Sequence, residues 1–275
     1  MKFISNAHTH STFCDGKNSL KEMAQAAIAL GFTDLGFTSH STATFDPGCA
    51  GIASEQDYQA AIVNLQEELG RQIKLSVGLE LDYFSPTPSV AFDYLIGSVH
   101  YFPPRNGEYR SVDESPATFI ETLNTWYEGD VLAMASDYYD LVVKHVLKNQ
   151  PKIVGHFDLF TKFNDELHYL DDCLIDYLAI ATNALKKIIP VLRNYDGLVE
   201  INTGGISRGW TKAPYPSRYL LDELYENDVP IIITSDSHAV DTLNFHFDQV
   251  LELVKEIGFK EVYQLSAGEF KAFPI

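Results

Sequence analysis

Cysteine is scarce in this chain of 275 residues: Cys14, Cys49 and Cys173 are the only three, widely spaced and with no C-x-x-C pair. Neither a disulfide framework nor a thiolate zinc site is indicated. Positive charge is also in short supply, with 20 Lys and Arg against 38 Asp and Glu, a formal net charge of −18. A chain this acidic has no general attraction to a phosphate backbone or an anionic membrane, so neither nucleic acid nor membrane is an expected partner. No run approaches the roughly 18 consecutive apolar residues of a membrane span. Met1–Asn6 leads straight into His8 without the apolar segment of a signal peptide, so the protein is expected to be soluble and cytoplasmic. A G-x-x-x-x-G-K-[ST] phosphate loop and a G-x-S-x-G nucleophile elbow are both missing.

What is present is ordinary globular material, 45% hydrophobic and 21% charged. The length suits one large barrel of the α/β kind, so residues 1–275 are expected to form one domain. Short apolar runs alternate with amphipathic stretches. Strands are predicted at Lys2–Ala7, Thr33–Phe37, Ile73–Leu81, Tyr94–Val99, Lys152–Gly155, Leu198–Ile201 and Val229–Thr234, with a last one near Glu261–Gln264. Ser19-Leu20-Lys21-Glu22 is a capping box that opens a helix ending at Leu30 with Gly31 as its stop. Further helices are predicted at Glu55–Leu69, across the long Asp113–Asn149 stretch, and at Cys173–Ile189, Ser217–Glu226 and Phe247–Ile257. Strands alternating with helices imply parallel pairing through crossovers, and seven strands before the last helix favour a β/α barrel over an open sheet.

Polar residues fall at the C-terminal ends of these strands, where the active sites of α/β barrels lie. They are His8, His10 and Asp15 after the first strand, His40 after the second, Glu80 and His100 at the third and fourth, and His156 at the fifth. Asp236 and His238 follow the last apolar strand. Six of the nine histidines occupy these positions. Alone, His100 or His156 reads as a structural histidine. Glu80 inside Gly78-Leu79-Glu80-Leu81 and Asp236 after Ile231-Ile232-Ile233 are carboxylates in apolar runs, and each needs a compensating charge. Together the nine groups need cations to organise them. Imidazole with carboxylate suits zinc, manganese or iron, and nine ligands exceed the needs of one tetrahedral ion. His145, His168 and His246 lie off this face and read as structural or surface residues.

His8-Thr9-His10, Asp15-Gly16, His40, Glu80, His100, His156 and Asp236-Ser237-His238 together resemble the PHP (polymerase and histidinol phosphatase) family. The resemblance spans residues 8–238 and implies an α/β fold, a distorted (β/α)7 barrel with the metal site at the C-terminal ends of its strands. It implies a trinuclear metal centre of three divalent ions. His8, His10, Glu80 and Asp236 would hold the first; Glu80 would bridge to a second, completed by His100 and His156; Asp15, His40 and His238 would hold the third. The chemistry implied is phosphomonoester hydrolysis by in-line attack of a hydroxide made available by the bridged ions, with Glu80 and Asp236 at its centre.

Within the family, Glu200-Ile201-Asn202-Thr203-Gly204-Gly205-Ile206-Ser207-Arg208 followed by Pro214-Tyr215-Pro216-Ser217 resembles the histidinol-phosphate phosphatase branch, implying L-histidinol phosphate as substrate in histidine biosynthesis. Arg208, with its planar fork, is the first candidate for the phosphate, Lys162 the second, and Thr203 a third substrate contact. Asp158, Glu200 and Asp82 are candidates for an acidic rim facing the ammonium and imidazole. Two other readings stand beside this one. The first is a PHP phosphoesterase acting on phosphotyrosine, nucleotides or small phosphoesters generally; the second is a metal-binding regulatory module without turnover. The general acid, the metal and the oligomeric state are not named by the sequence.

Overall fold

The computed structural model describes every residue except Pro47. Strands β1 (Ser5–Asn6), β2 (Asp34–Phe37), β3 (Lys74–Asp82), β4 (Tyr94–Ser98), β5 (Ile153–Val154), β6 (Leu198–Asn202), β7 (Ile231–Thr234), β8 (Glu261–Ser266) and β9 (Glu269–Pro274) form one sheet in that spatial order. Pairing is parallel from β1 to β8 and antiparallel between β8 and β9. The sheet curls until its first and seventh strands meet. Thr9 and Ser237 form a parallel bridge beyond the ends of β1 and β7, in which the His10 N–H donates to the Ser237 carbonyl at 2.8 Å. At the opposite end β8 lies across the seam, where the Leu265 N–H donates to Ser5 Oγ at 3.0 Å. The expected seven-unit α/β barrel is thus present, with a β8–β9 hairpin added.

Helices α1 (Leu20–Ala29), α2 (Glu55–Leu69), α3 (Pro116–Tyr127), α4 (Val131–Asn149), α5 (Asn164–Leu167), α6 (Leu174–Asn194), α7 (Gly204–Ser207), α8 (Arg218–Glu226) and α9 (Phe247–Ile257) complete the chain. The Ser19–Glu22 capping box opens α1 as the sequence predicts. The Asp113–Asn149 stretch is two helices, because Glu128 and Gly129 take left-handed backbone (φ 54° and 85°) and Asp130 caps the next one. Its apolar residues are buried core, Phe119, Tyr138 and Tyr139 among them. α6 runs past Pro190, where the sequence predicts a stop. Leu185, Ile188, Ile189 and Leu192 form one continuous buried stripe across it, and that burial offsets the one missing hydrogen bond. The short helices α5 and α7 and the strand β9 are not predicted; Ala267 and Gly268, both at positive φ, make the two-residue turn that leads into β9.

Strand period two sets what the barrel contains. On β6, Leu198 joins the small apolar cluster inside the barrel with Ala7, Tyr94, Ile96, Ile153 and Ile232. Two residues further along the same face is Glu200, and on β7 the same step from Ile232 reaches Thr234 and then Asp236. Each inward column therefore runs from an apolar floor to polar groups at the C-terminal rim. Tyr94 fills the floor, with its hydroxyl donating to the Ala7 carbonyl at 2.6 Å. Gly36 makes room for it; a Cβ there would fall 1.8 Å from the Tyr94 oxygen. No helix among the described residues is long and apolar enough to cross a membrane.

Candidate metal centre

All nine predicted ligands gather at the C-terminal rim. β1 continues into His8 and His10. β2 and β3 keep pairing to their ends through a His40–Glu80 bridge, which sets those two residues side by side. Glu80, on β3, is 1% exposed and sits at the centre. Its Oε2 lies 3.4 Å from His8 Nε2, 3.5 Å from His10 Nε2 and 2.8 Å from His40 Nδ1. Its Oε1 lies 3.4 Å from His100 Nε2 and 2.9 Å from His156 Nε2, and accepts the Ser98 hydroxyl at 2.7 Å. Asp236 Oδ1 is 3.1 Å from His10 Nε2 and 3.6 Å from His8 Nε2. Asp15 Oδ1 is 3.2 Å from His238 Nε2 and 3.7 Å from His40 Nε2.

These distances fit metal ligation. An ion bound at about 2.0–2.2 Å to four tetrahedral ligands separates neighbouring ligand atoms by roughly 3.3–3.6 Å. The four His8 and His10 distances to Glu80 and Asp236 span 3.1 to 3.6 Å. His8 Nε2, His10 Nε2 and Glu80 Oε2 are buried and have no hydrogen-bond partner. Buried polar atoms seldom go unpaired, and these three converge on one another. Ligand atoms group as His8, His10 and Asp236; as His10, Asp15, His40 and His238; and as His40, Glu80 and His100. His10 and His40 thus each reach two groups, whereas the resemblance assigns each to one. His156 stands outside these groups, yet its Nε2 reaches Glu80.

Electrostatics follow from the crowding. Burial raises the Glu80 carboxyl, but the imidazoles of His40, His8 and His100 outweigh it and hold the group well below the usual carboxylate range. Burial works against a proton on His8, yet Glu200, Asp236 and Glu80 hold its imidazole well above the ordinary value. His40 is likewise pushed up to about 10, burial being overcome by Glu80 and then Asp15. Without ions, protons balance the carboxylates; divalent ions entering the cluster release them.

Glu200 is the functional residue that sequence reasoning misplaces. It is fully buried and does not line the cavity over the ligands. Its Oε2 faces His8 Nδ1 at 2.9 Å and accepts the Thr234 hydroxyl at 2.8 Å. Its Oε1 accepts the His156 N–H at 2.6 Å and Asn202 Nδ2 at 2.9 Å. An ionised carboxylate only accepts, so His8 donates from Nδ1, and an ion displacing its second proton would meet the Nε2 lone pair facing inward, as in ligating histidines. The signal in the sequence is Glu200 two residues beyond Leu198 on an inward column. Asp158 and Asp82 are buried too. Asp82 accepts the N–H groups of Phe84 and His100; Asp158 accepts the Ser217 N–H. None of the three forms an exposed acidic rim.

A cavity of about 310 Å3 opens over the ligands and is also lined by Arg208 and Lys162. Arg208 Nη2 donates to Asp236 Oδ2 at 2.8 Å. Lys162 Nζ donates to Asp113 Oδ2 at 3.0 Å. Thr203 does not face this cavity: it is fully buried and its hydroxyl donates to the Phe245 carbonyl at 2.8 Å, which corrects its expected place as a substrate contact. His145 is buried in α4 and bonds the Leu81 carbonyl. His168 and His246 lie away from the cluster, one exposed beside Asp171, the other stacked on Phe245.

The family model described as PHP domain matches residues 6–204. The chain is similar to a histidinol-phosphatase of Bacillus subtilis (strain 168), 25% identical over 273 residues that cover 90% of this chain and 98% of that one. Its fold is similar to a Listeria monocytogenes protein assigned to the histidinol phosphatases, with TM-score 0.71, 18% identity and coverage of 89% and 99%. It is also similar to the histidinol phosphate phosphatase of Lactococcus lactis, solved with zinc, L-histidinol and phosphate, with TM-score 0.63, 20% identity and coverage of 97% and 98%.

Proposed function

The chain belongs to the PHP domain family, and from that premise we propose that it is a metal-dependent phosphomonoesterase hydrolysing L-histidinol phosphate to L-histidinol and phosphate. The single observation that carries this reading is the buried Glu80 carboxylate ringed by five imidazoles, whose inward nitrogens on His8 and His10 have no other partner. Its substrate is supported by the relatives, whose names specify histidinol phosphate over nearly the full length of both chains.

In this reading His8, His10, Glu80 and Asp236 would hold one divalent ion, Glu80 with His100 and His156 a second, and Asp15, His40 and His238 a third. Zinc is the ion present in the Lactococcus lactis relative; manganese and iron suit the same donors. Such ions supply Lewis acidity, making water nucleophilic near neutral pH and neutralising charge on the phosphoryl group. The chain's own residues do the rest. Ser98 and the imidazoles fix Glu80, and Glu200 fixes the ring of His8. Arg208 extends its guanidinium over the cavity, where its fork suits phosphate oxygens. Lys162 adds a second cation, held in place by Asp113. Residues 1–275 act as one PHP-type domain on a small cytoplasmic substrate, with no part for nucleic acid or membrane.

The test is release of inorganic phosphate from L-histidinol phosphate, phosphotyrosine, nucleoside monophosphates and glycerol phosphate by protein loaded with zinc or manganese. The expected result is a kcat/KM at least about tenfold higher for L-histidinol phosphate than for the others. Equal rates on all of them would replace this reading with a general phosphoesterase. Tightly held ions without hydrolysis of any would leave a metal-binding module.

A further inference from the structure

The cavity over the ligands is not the only space at the rim. A second one, of about 560 Å3, shares Asp15, His40, His100, Asp113 and Lys162 with it and extends away from Arg208. Its two walls are continuous with metal ligands. One is the segment that follows His40 and carries Phe45 and Asp46. The other is a hairpin that leaves β4 at His100 and returns through Tyr109 to Asp113: Tyr101 bridges Ser111, the Val112 N–H donates to the His100 carbonyl at 2.8 Å, and Phe102 bonds Arg110. Phe45 closes the gap between the walls. It stacks on Tyr109 with ring centroids 4.2 Å apart and meets Tyr101 edge-on at 4.9 Å. The Tyr101 hydroxyl donates to Asp46 Oδ2 at 2.7 Å. Phe45 and Tyr109 remain partly exposed to the cavity.

Charge in this second lobe is mostly negative. Asp46, Asp82, Asp113 and Glu114 line it. Of its two cations, Arg110 is already engaged by Glu108 at 2.7 Å and Glu121 at 2.9 Å, and Lys162 by Asp113. An anion would meet mostly carboxylates there, and neither Arg110 nor Lys162 stands without a carboxylate partner. A cationic group gains carboxylates, and a flat ring gains aromatic faces.

We propose that this lobe is the leaving-group subsite, and that Phe45, Tyr101 and Tyr109, with Asp113 and Glu114 at the mouth, select phosphoesters of a cationic, heteroaromatic alcohol. The assignment rests on the function proposed above and adds to it the residues that set specificity. The phosphoryl group sits between Arg208 and the shared wall, and the organic half turns past His40 and His100 into the aromatic lobe. Tyr109 supplies a stacking face and Glu114 an unburied negative charge. Neither touches the reacting phosphorus, so both act through KM more than kcat.

The experiment measures kcat/KM for L-histidinol phosphate and for glycerol 3-phosphate, which has neither ring nor ammonium, using metal-loaded wild-type, Tyr109→Ala, Tyr109→Phe and Glu114→Gln proteins. The ratio of the two values falls about tenfold in Tyr109→Ala, through a raised KM for L-histidinol phosphate, and is restored in Tyr109→Phe. In Glu114→Gln it falls less, by an amount that shrinks as salt is added. Wild-type protein that hydrolyses L-histidinol phosphate while Tyr109→Ala keeps the wild-type ratio overturns the subsite alone, as does an equal loss on both substrates, which marks Tyr109 as structural. Wild-type protein that does not hydrolyse L-histidinol phosphate overturns the functional reading and the subsite with it.

Discussion

Glu80 can sit fully buried because Ser98 and His156 answer its Oε1, while the ring nitrogens of His8, His10 and His40, or the ions they would hold, surround its Oε2. The same accounting explains Glu200, whose two oxygens meet a ring nitrogen, a hydroxyl, an amide and a backbone N–H. Glu200 never reaches the cavity, so its effect on catalysis runs through the ring of His8 and the loop of His156. Glu200→Gln places an amide where His8 needs an acceptor, and metal retention should weaken by about 10- to 100-fold, read as chelator sensitivity of bound zinc, with the far-UV spectrum unchanged. Retention equal to wild type would show that His8 is oriented by something else. The nine ligand positions are legible in the sequence because they lie within or shortly after the ends of apolar runs. Glu200 is harder: it looks like one more acid near a loop, and its burial emerges only when the β6 and β7 columns are laid side by side. Thr203 misleads for the opposite reason, since a polar residue beside glycines suggests a ligand contact while its hydroxyl is used to hold the Phe245 loop.

At the scale of elements, the joint between β5 and α8 carries a titratable lock. Asp158 leaves β5 two residues after His156, and its Oδ2 accepts the N–H of Ser217, the residue that opens α8, at 2.8 Å. Its Oδ1 has no partner, and burial pushes the carboxyl up to about 6. In the unfolded chain an aspartate ionises near pH 4. Between about pH 4 and 6 the folded state therefore holds a proton that the unfolded state has lost, so stability falls as pH rises through that window. Above it the loss attributable to Asp158 reaches up to roughly 3 kcal/mol. In chelator-treated protein, Asp158→Asn keeps an oxygen for Ser217 and removes that loss. Urea unfolding should show the variant more stable than wild type at pH 8 and nearly equal at pH 4.5. A constant difference at both pH values would contradict it. Elements as such are the most legible feature of this chain. The exceptions are governed by long-range packing: α6 passes Pro190 because its buried stripe continues, and β9 forms because β8 offers it an edge.

Across the whole molecule, a net charge of −18 surrounds a site proposed to take a phosphate dianion. In the proposed reading Arg208 and Lys162, with the divalent ions, meet the phosphate over the ligands, and the carboxylates of the neighbouring lobe meet the organic half. Barrel closure makes this possible. The Thr9–Ser237 bridge brings His8 and His10 to Asp236 and His238 across more than 220 residues of chain, a juxtaposition the strand count implies and the hydrogen bonds complete. Everything proposed for activity depends on divalent ions held by those groups. The most direct test is phosphate release from L-histidinol phosphate by protein stripped with a chelator and then titrated with zinc or manganese. Turnover should disappear on stripping and return as the ions are restored; a stripped protein that turns over as fast as the untreated one would rule out metal-dependent hydrolysis.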